Sequence, residues 1–430
     1  MARTALTAAR VSTWFVAIAI LGCGGVGKDE SVQVNVARSD LARVVDPQVP
    51  VDDAQTLAAD NEAFAFAAYP LLMHGDDNLV FSPISISVAL AMTYAGAAGT
   101  TAAEMAAALH FSLPPDRLHP AFDTLSLGLA ARGEGALGAD GGPMRLLMVN
   151  ATWAQPDYAF REDYLDTLAA YYGAGVNLVD FVKAPEPSRQ LINAWVAEQT
   201  ENRIQDLLPE GSIDPATVLV LTNAIYFNAA WMYPFPPEST RDAAFTRLDG
   251  SQVTARMMSN CQMMRALATA DLKAIALPYQ DERLSLTVVV PEPGAFTDVE
   301  ASLGGPWLDG IVAGLTVQDA CYQIPRFTID TNAPVKKALL ALGMQAAFQA
   351  GAADFSGIDG SRGLFVQDVL HKAFIAVGEK GTEAAAATAI PLGRGVPKFS
   401  LLADRPFFYF LRDEPTGAIL FMGRVMDPAS

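Results

Sequence analysis

The side chains able to do chemistry are few and scattered. Four histidines occur (His74, His110, His119 and His371) and three cysteines (Cys23, Cys261 and Cys321). Zinc hydrolysis would need paired ligands such as H-E-x-x-H or C-x-x-C, and a serine hydrolase an exposed elbow such as G-x-S-x-G. None is present, so no metal, no other cofactor and no enzymatic activity is expected. Two glycine patterns imitate phosphate loops. In Gly22–Lys28 the hydroxyl needed for Mg²⁺ is replaced by Asp29, and Gly133–Gly138 has no strand leading into it. The formal charge of −18 argues against nucleic acid and against an anionic membrane surface as partners.

One stretch stands apart: Gly378 to Phe399, G-E-K-G-T-E-A-A-A-A-T-A-I-P-L-G-R-G-V-P-K-F. Its first half carries small side chains that can alternate up and down in a strand. Its second half is broken by Pro391, Gly393, Gly395 and Pro397, which favour an exposed loop. By composition this is an alanine-rich linker. Yet Val369–Val377 before it and Leu402–Leu411 after it are apolar and strand-like. A segment able to be loop or strand is held between two committed strands.

The elements around it read as follows. A helical face begins at Leu57 with Phe64, Ala67, Ala68 and Leu71. Ser82 suits the cap of a helix opening at Pro83, and Thr101-Ala-Ala-Glu104 forms a capping box. A glycine-rich loop over 132–143 precedes a strand from Met144 to Trp153 and a helix from Phe160 to Tyr172. An amphipathic helix covers Gln190 to Ile204, and a long buried strand runs from Val218 to Phe227, leading to Trp231. Asn223 within that strand must be hydrogen-bonded. His371, in another apolar strand, is by itself a satisfied core histidine.

Phe81-Ser-Pro-Ile-Ser-Ile-Ser-Val-Ala-Leu-Ala-Met92, Gly96 to Met105, Ile192-Asn-Ala-Trp-Val196 and Gly417-Ala-Ile-Leu-Phe-Met-Gly-Arg-Val425 follow one another in a family order. Together they resemble the serpins over about residues 57 to 428. The resemblance implies an α+β serpin fold, with three β-sheets, about eight or nine helices and an exposed reactive-centre loop. It also implies a suicide-substrate inhibitor of serine, and by extension cysteine, proteases. The protease cleaves the loop, which inserts into the central sheet and drags the acyl-enzyme across it. Ser82, Ser85, Asn223 and His371 then match the polar shutter beneath the opening sheet, and Trp231 the breach where the loop enters.

The loop hinge would comprise Glu379, Gly381, Thr382, Glu383, Ala384, Ala385, Ala386, Ala387 and Thr388. Thr382, Ala384, Ala386, Thr388 and Ile390 would turn inward, with Glu383 outward. Gly381 is expected to give the backbone freedom to turn, and Gly378, where the family carries a side chain, to weaken strand order. The family's spacing from Glu379 places the reactive bond at Gly395-Val396. A loop shorter by one places it at Arg394-Gly395, which suits a trypsin-like pocket and is the expected bond. Leu392 suits a subtilisin-like partner but leaves too little chain for insertion. The alternative is a serpin-fold binding protein on the cell envelope that never inserts its loop.

Arg3 and Arg10 precede the apolar run Val11–Leu21, too short to span a bilayer as a mature helix. Residues 1–22 therefore read as a signal peptide. Ile20-Leu21-Gly22-Cys23 resembles a bacterial lipobox with Cys23 lipidated. Residues 23–56 read as a flexible tether and 57–428 as the domain. The expectation is a monomer, secreted or anchored to the cell envelope, touching the membrane only through that lipid. Cys261 and Cys321 either pair or remain free thiols, since spacing alone does not decide.

Overall fold

The computed structural model describes residues 11–12, 35–382 and 398–430. An eight-stranded sheet runs in the order β1 (Val11–Ser12), β2 (Asn35–Ala37), β5 (Val176–Leu178), β4 (Arg145–Ala154), β6 (Leu219–Ala230), β14 (Gly381–Thr382), β13 (Asp368–Gly378) and β12 (Phe327–Ala333). A nine-stranded network has the path β15 (Phe399–Leu402), β11 (Thr316–Pro325), β8 (Gln252–Ala268), β9 (Leu272–Pro278), β10 (Leu284–Pro291), β16 (Phe407–Asp413), β17 (Ile419–Val425) and β3 (Leu79–Phe81), with β7 (Arg241–Thr246) paired to β8. The three sheets expected thus form two hydrogen-bonded networks. The reason is β8: its first half pairs with β7 and its last residues with β9, so one long strand belongs to two sheets.

Ten α-helices occur among the described residues: α1 (Val51–Leu72), α2 (Pro83–Tyr94), α3 (Gly99–Ala108), α4 (Pro115–Ala131), α5 (Glu162–Tyr172), α6 (Pro185–Gln199), α7 (Phe296–Ala301), α8 (Gly305–Gly314), α9 (Val335–Ala341) and the single turn α10 (Ser356–Asp359). Helix α2 packs against β4, β6 and β17, so it lies between the sheets and is buried along nearly its whole length. The other face of the eight-stranded sheet is covered by α6, where Trp153, Val220 and Ala224 meet Ile192 and Val196. A strand covered on both faces needs no polar side. All twelve residues of β6 are buried, which is why its sequence is an unbroken apolar run.

Four readings are corrected. First, a tether over 23–56 fails from Asn35 onward. There β2 pairs with β5, Ser39 Oγ donates to Asp166, Arg43 Nε donates to Asp123 Oδ1 at 2.8 Å, and the Val44 N–H reaches the Ala170 carbonyl. The free edge of β5 offers unpaired backbone groups, and this segment satisfies them. Residues 1–22 lie outside the described residues except Val11–Ser12, which pair with Val36–Ala37.

Second, Thr101 and Glu104 form no capping box. Thr101 accepts from the Asp354 N–H, and Glu104 from the Gln345 and Ala346 N–H groups, so both serve tertiary contacts. Third, α6 begins at Pro185 and stops at Gln199, because Glu201 and Asn202 adopt left-handed backbone (φ 52° and 62°) and Thr200 Oγ1 caps the end. Fourth, Leu402–Leu411 is not one strand: β15 ends at Leu402, and β16 starts only after Pro406.

Candidate functional site

The candidate site is a seam in the eight-stranded sheet. Strands β6 and β13 run parallel and are register partners from Val220↔Asp368 to Ile225↔Ala373. Above that they part, and β14 lies between them. Gly381 and Thr382 pair with Ala230 and Ala229 on one side and with Gly378 and Val377 on the other. The chain therefore leaves β13, turns at Glu379-Lys380 and starts down the gap between its neighbours.

Beneath the closed part of the seam lies a buried polar cluster. His371 and Asn223 are register partners across it. The Ser82 N–H donates to His371 Nε2 at 3.1 Å, so the imidazole proton sits on Nδ1 and is donated to Asn223 Oδ1. Asn223 Nδ2 donates to the Ser85 carbonyl and Ser85 Oγ, both at 2.6 Å, and to Asn150 Oδ1. Ser82 also caps α2 as expected, accepting from the Ser85 N–H. Burial holds His371 neutral, with its pKa pushed down to about 3. These bonds join α2, β4, β6 and β13 across the line along which the sheet would open. Being few and directional, they can be exchanged one for another, whereas interdigitated apolar packing would resist sliding.

At the top of the seam Trp231 stacks on Tyr279, with ring centroids 4.4 Å apart. Its Nε1 donates to the Gly378 carbonyl at 2.9 Å and its backbone N–H to the Lys380 carbonyl at 2.7 Å. Thr382 is fully buried, and its hydroxyl meets Tyr279 Oη at 2.7 Å, so it faces the core side of the sheet. Glu379 accepts from Arg326 Nε at 2.6 Å and Thr240 Oγ1 at 2.7 Å. Burial pushes its pKa up, but these bonds and the Arg326 charge outweigh that and leave it below the usual range.

Gly381 is corrected in its reason. It does not have the left-handed backbone that a glycine is needed for. A Cβ there would come within 2.0 Å of the Ala229 carbonyl oxygen, so close approach between strands requires the glycine. Gly378 keeps its place in β13, paired with Gly381. Glu383, Ala384, Ala385, Ala386, Ala387, Thr388, Arg394, Gly395, Val396 and Cys23 lie outside the described residues.

Two positions of the candidate site escaped the sequence. Asn150 completes the polar cluster, and an amide in a predicted strand was its available signal. Arg326 clamps the turn from 53 positions away, and no local pattern marks it.

A family model described as Serpin (serine protease inhibitor) matches residues 59–428. The chain belongs to the serpin family. It is 38% identical over 371 residues to an uncharacterised serpin-like protein of Thermococcus kodakarensis, covering 85% of this chain and 84% of the relative. It is 36% identical over 394 residues to leukocyte elastase inhibitor of Equus caballus, covering 87% and 100%. Native tengpin, a thermophilic serpin, superposes with a TM-score of 0.79 at 24% identity, covering 90% of this chain and 97% of that one.

In this serpin Cys261 and Cys321 are bonded to each other. They are direct register partners between β8 and β11, next to β15. The bond closes a loop of 60 residues. Its loss, through Cys261→Ser with Cys321→Ser, is expected to cost about 2–4 kcal/mol. That is a fall of roughly 3–5 °C in the thermal midpoint for a domain of this size, read in a calorimeter.

Proposed function

We propose that this serpin is a suicide-substrate inhibitor of serine, and by extension cysteine, proteases, acting by loop cleavage and insertion. One observation carries the reading: Gly381 and Thr382 already occupy the first step between β6 and β13, with Thr382 facing the core. The residues that would follow, Glu383 to Thr388, bring nothing bulky, and their one charge falls on the outward parity. Full insertion parts the remaining register pairs of β6 and β13 and adds a central strand. That strand forms on the order of ten backbone hydrogen bonds, each about 1 kcal/mol net. The total is comparable with the stability of a whole domain, about 5–15 kcal/mol, so the uninserted form persists by its barrier.

Arg394-Gly395 is the reactive bond in this reading, and a trypsin-like or subtilisin-like enzyme the partner. The chain works outside the cytoplasm, secreted or held by a lipid on Cys23. The Cys261–Cys321 disulfide supports an oxidising compartment.

The test is to mix the purified protein with trypsin, a subtilisin and an elastase, then run a denaturing gel and intact mass. A heat-stable adduct of serpin plus protease, with a C-terminal fragment beginning at Gly395, is the expected result. A fragment beginning at Val396 moves the reactive bond by one. Cleavage with turnover and no adduct for every enzyme removes the inhibitor reading.

A further inference from the structure

Beside the turn that feeds the seam lies a cleft of about 590 Å³, a volume suited to a small organic molecule. Gly378–Lys380 form one wall. Arg326 to Thr328 at the start of β12, Thr254 to Arg256 on β8 and Pro428 to Ser430 form the others. Pro237 and Ala376 give it apolar surface, whereas Phe327 and Val377 are almost wholly buried. Arg256, Arg326 and Lys380 line it with one acidic side chain, Glu379, and the last residue, Ser430, shares the cleft with them. Arg326 is half exposed although it holds Glu379, and Arg256 is half exposed although it pairs with Asp242 at 3.0 Å. Both guanidinium groups can therefore accept a further anion, and a planar carboxylate matches their geometry in bidentate fashion.

We propose that this cleft binds an organic carboxylate with an apolar body, and that the ligand regulates entry of the loop into the sheet. The carboxylate takes Arg326 from Glu379, while the apolar body lies against Pro237 and Ala376. Glu379 is the side chain that ties the Gly378–Gly381 turn to Arg326 and Thr240. Its release loosens the turn, so the ligand favours the state in which the loop moves. Binding stands irrespective of protease inhibition, whereas the regulatory effect rests on the loop-insertion reading.

The probe is octanoate, titrated calorimetrically into the intact protein at fixed ionic strength. Octan-1-ol serves as the uncharged control and inorganic phosphate as the compact anion. One octanoate per chain is expected. Binding should weaken at least tenfold in Arg256→Gln with Lys380→Gln, and neither control should saturate. The wild-type comparison alone keeps the test decisive should the double variant fold poorly. The half-time of heat-driven conversion to the loop-inserted form should shorten with octanoate in wild type and not in Glu379→Ala, which has no side-chain acceptor left for Arg326 or Thr240. Absence of saturable octanoate binding, or equal binding of octanol, overturns the site. Octanoate binding with an unchanged conversion rate overturns the regulation. Covalent-complex formation without octanoate tests the inhibitor reading separately.

Discussion

Replacing Thr382 with arginine is expected to turn the protein from an inhibitor into a substrate. Thr382 is fully buried, faces the core under Trp231 and Tyr279, and leads whatever follows it down the seam. An arginine there must carry an unpaired charge past that pair into the sheet, at a cost of several kcal/mol. Raising the insertion barrier by about 3 kcal/mol slows insertion roughly a hundredfold, because each 1.36 kcal/mol is a factor of ten. Hydrolysis of the acyl-enzyme does not slow with it, so release wins the race. Cleavage of the loop by an active protease should persist, while the covalent adduct on a denaturing gel falls at least tenfold. The thermal midpoint of the uncleaved variant should move little, since the hinge can swing out. An adduct yield equal to wild type would show that burial of residue 382 between β6 and β13 is not required for inhibition.

Acid is expected to unlock the closed half of the seam through His371. Its folded pKa, about 3, lies below the ordinary 6.5 because burial penalises the charged form. Between those values the unfolded chain binds the extra proton, so stability rises with pH through this window. The contribution is fully present above pH 6.5 and lost progressively as pH falls toward 3. At pH 4.5 the loss is about 3 kcal/mol, or roughly 4 °C in midpoint for a domain of this size. Protonated Nε2 would also face the Ser82 N–H donor to donor.

Two other groups titrate nearby in pH. His119, pushed by burial to about 4, adds a slope of the same sign. Glu62 opposes it over the range from 4.5 to 7: burial and then the Asp309 charge raise it to about 7, so its folded form holds a proton that the unfolded chain has lost. The decisive quantity is therefore the difference between wild type and His371→Gln. The variant should be less stable at pH 7, by about 1–3 kcal/mol for disturbed buried hydrogen bonds, yet flatter between pH 7 and 4.5. Parallel curves for the two proteins would deny His371 this role.

Much of the site was legible in the chain. Ser82 before Pro83 announces a capped helix, and the cap is there. Asn223 in an apolar strand had to find partners, and its amide makes several. Asn150 obeys the same logic, but its place opposite Asn223 follows from the β4–β6 register. Thr101 and Glu104 show the reverse case. Their spacing fits a local cap, yet Asp354, Gln345 and Ala346 arrive from far along the chain and take both side chains. The segment from Asn35 to Pro50 reads as a tether because its partners, on β5, α4 and α5, are invisible to composition.

The order of amino acids alone determined the family, the capped start of α2, the buried strand around Asn223 and the alternation that lets a small-residue segment become a strand. These depend on neighbours within a turn or two, where side-chain size, backbone freedom and capping act directly. Only the tertiary structure decided that Cys261 meets Cys321, that Arg326 holds Glu379, that Gly381 is needed for close packing, and that β6 and β13 part above Ile225 and Ala373. Each of these is a contact between distant residues, set by strand register, and shifting a register by one residue changes every such pair.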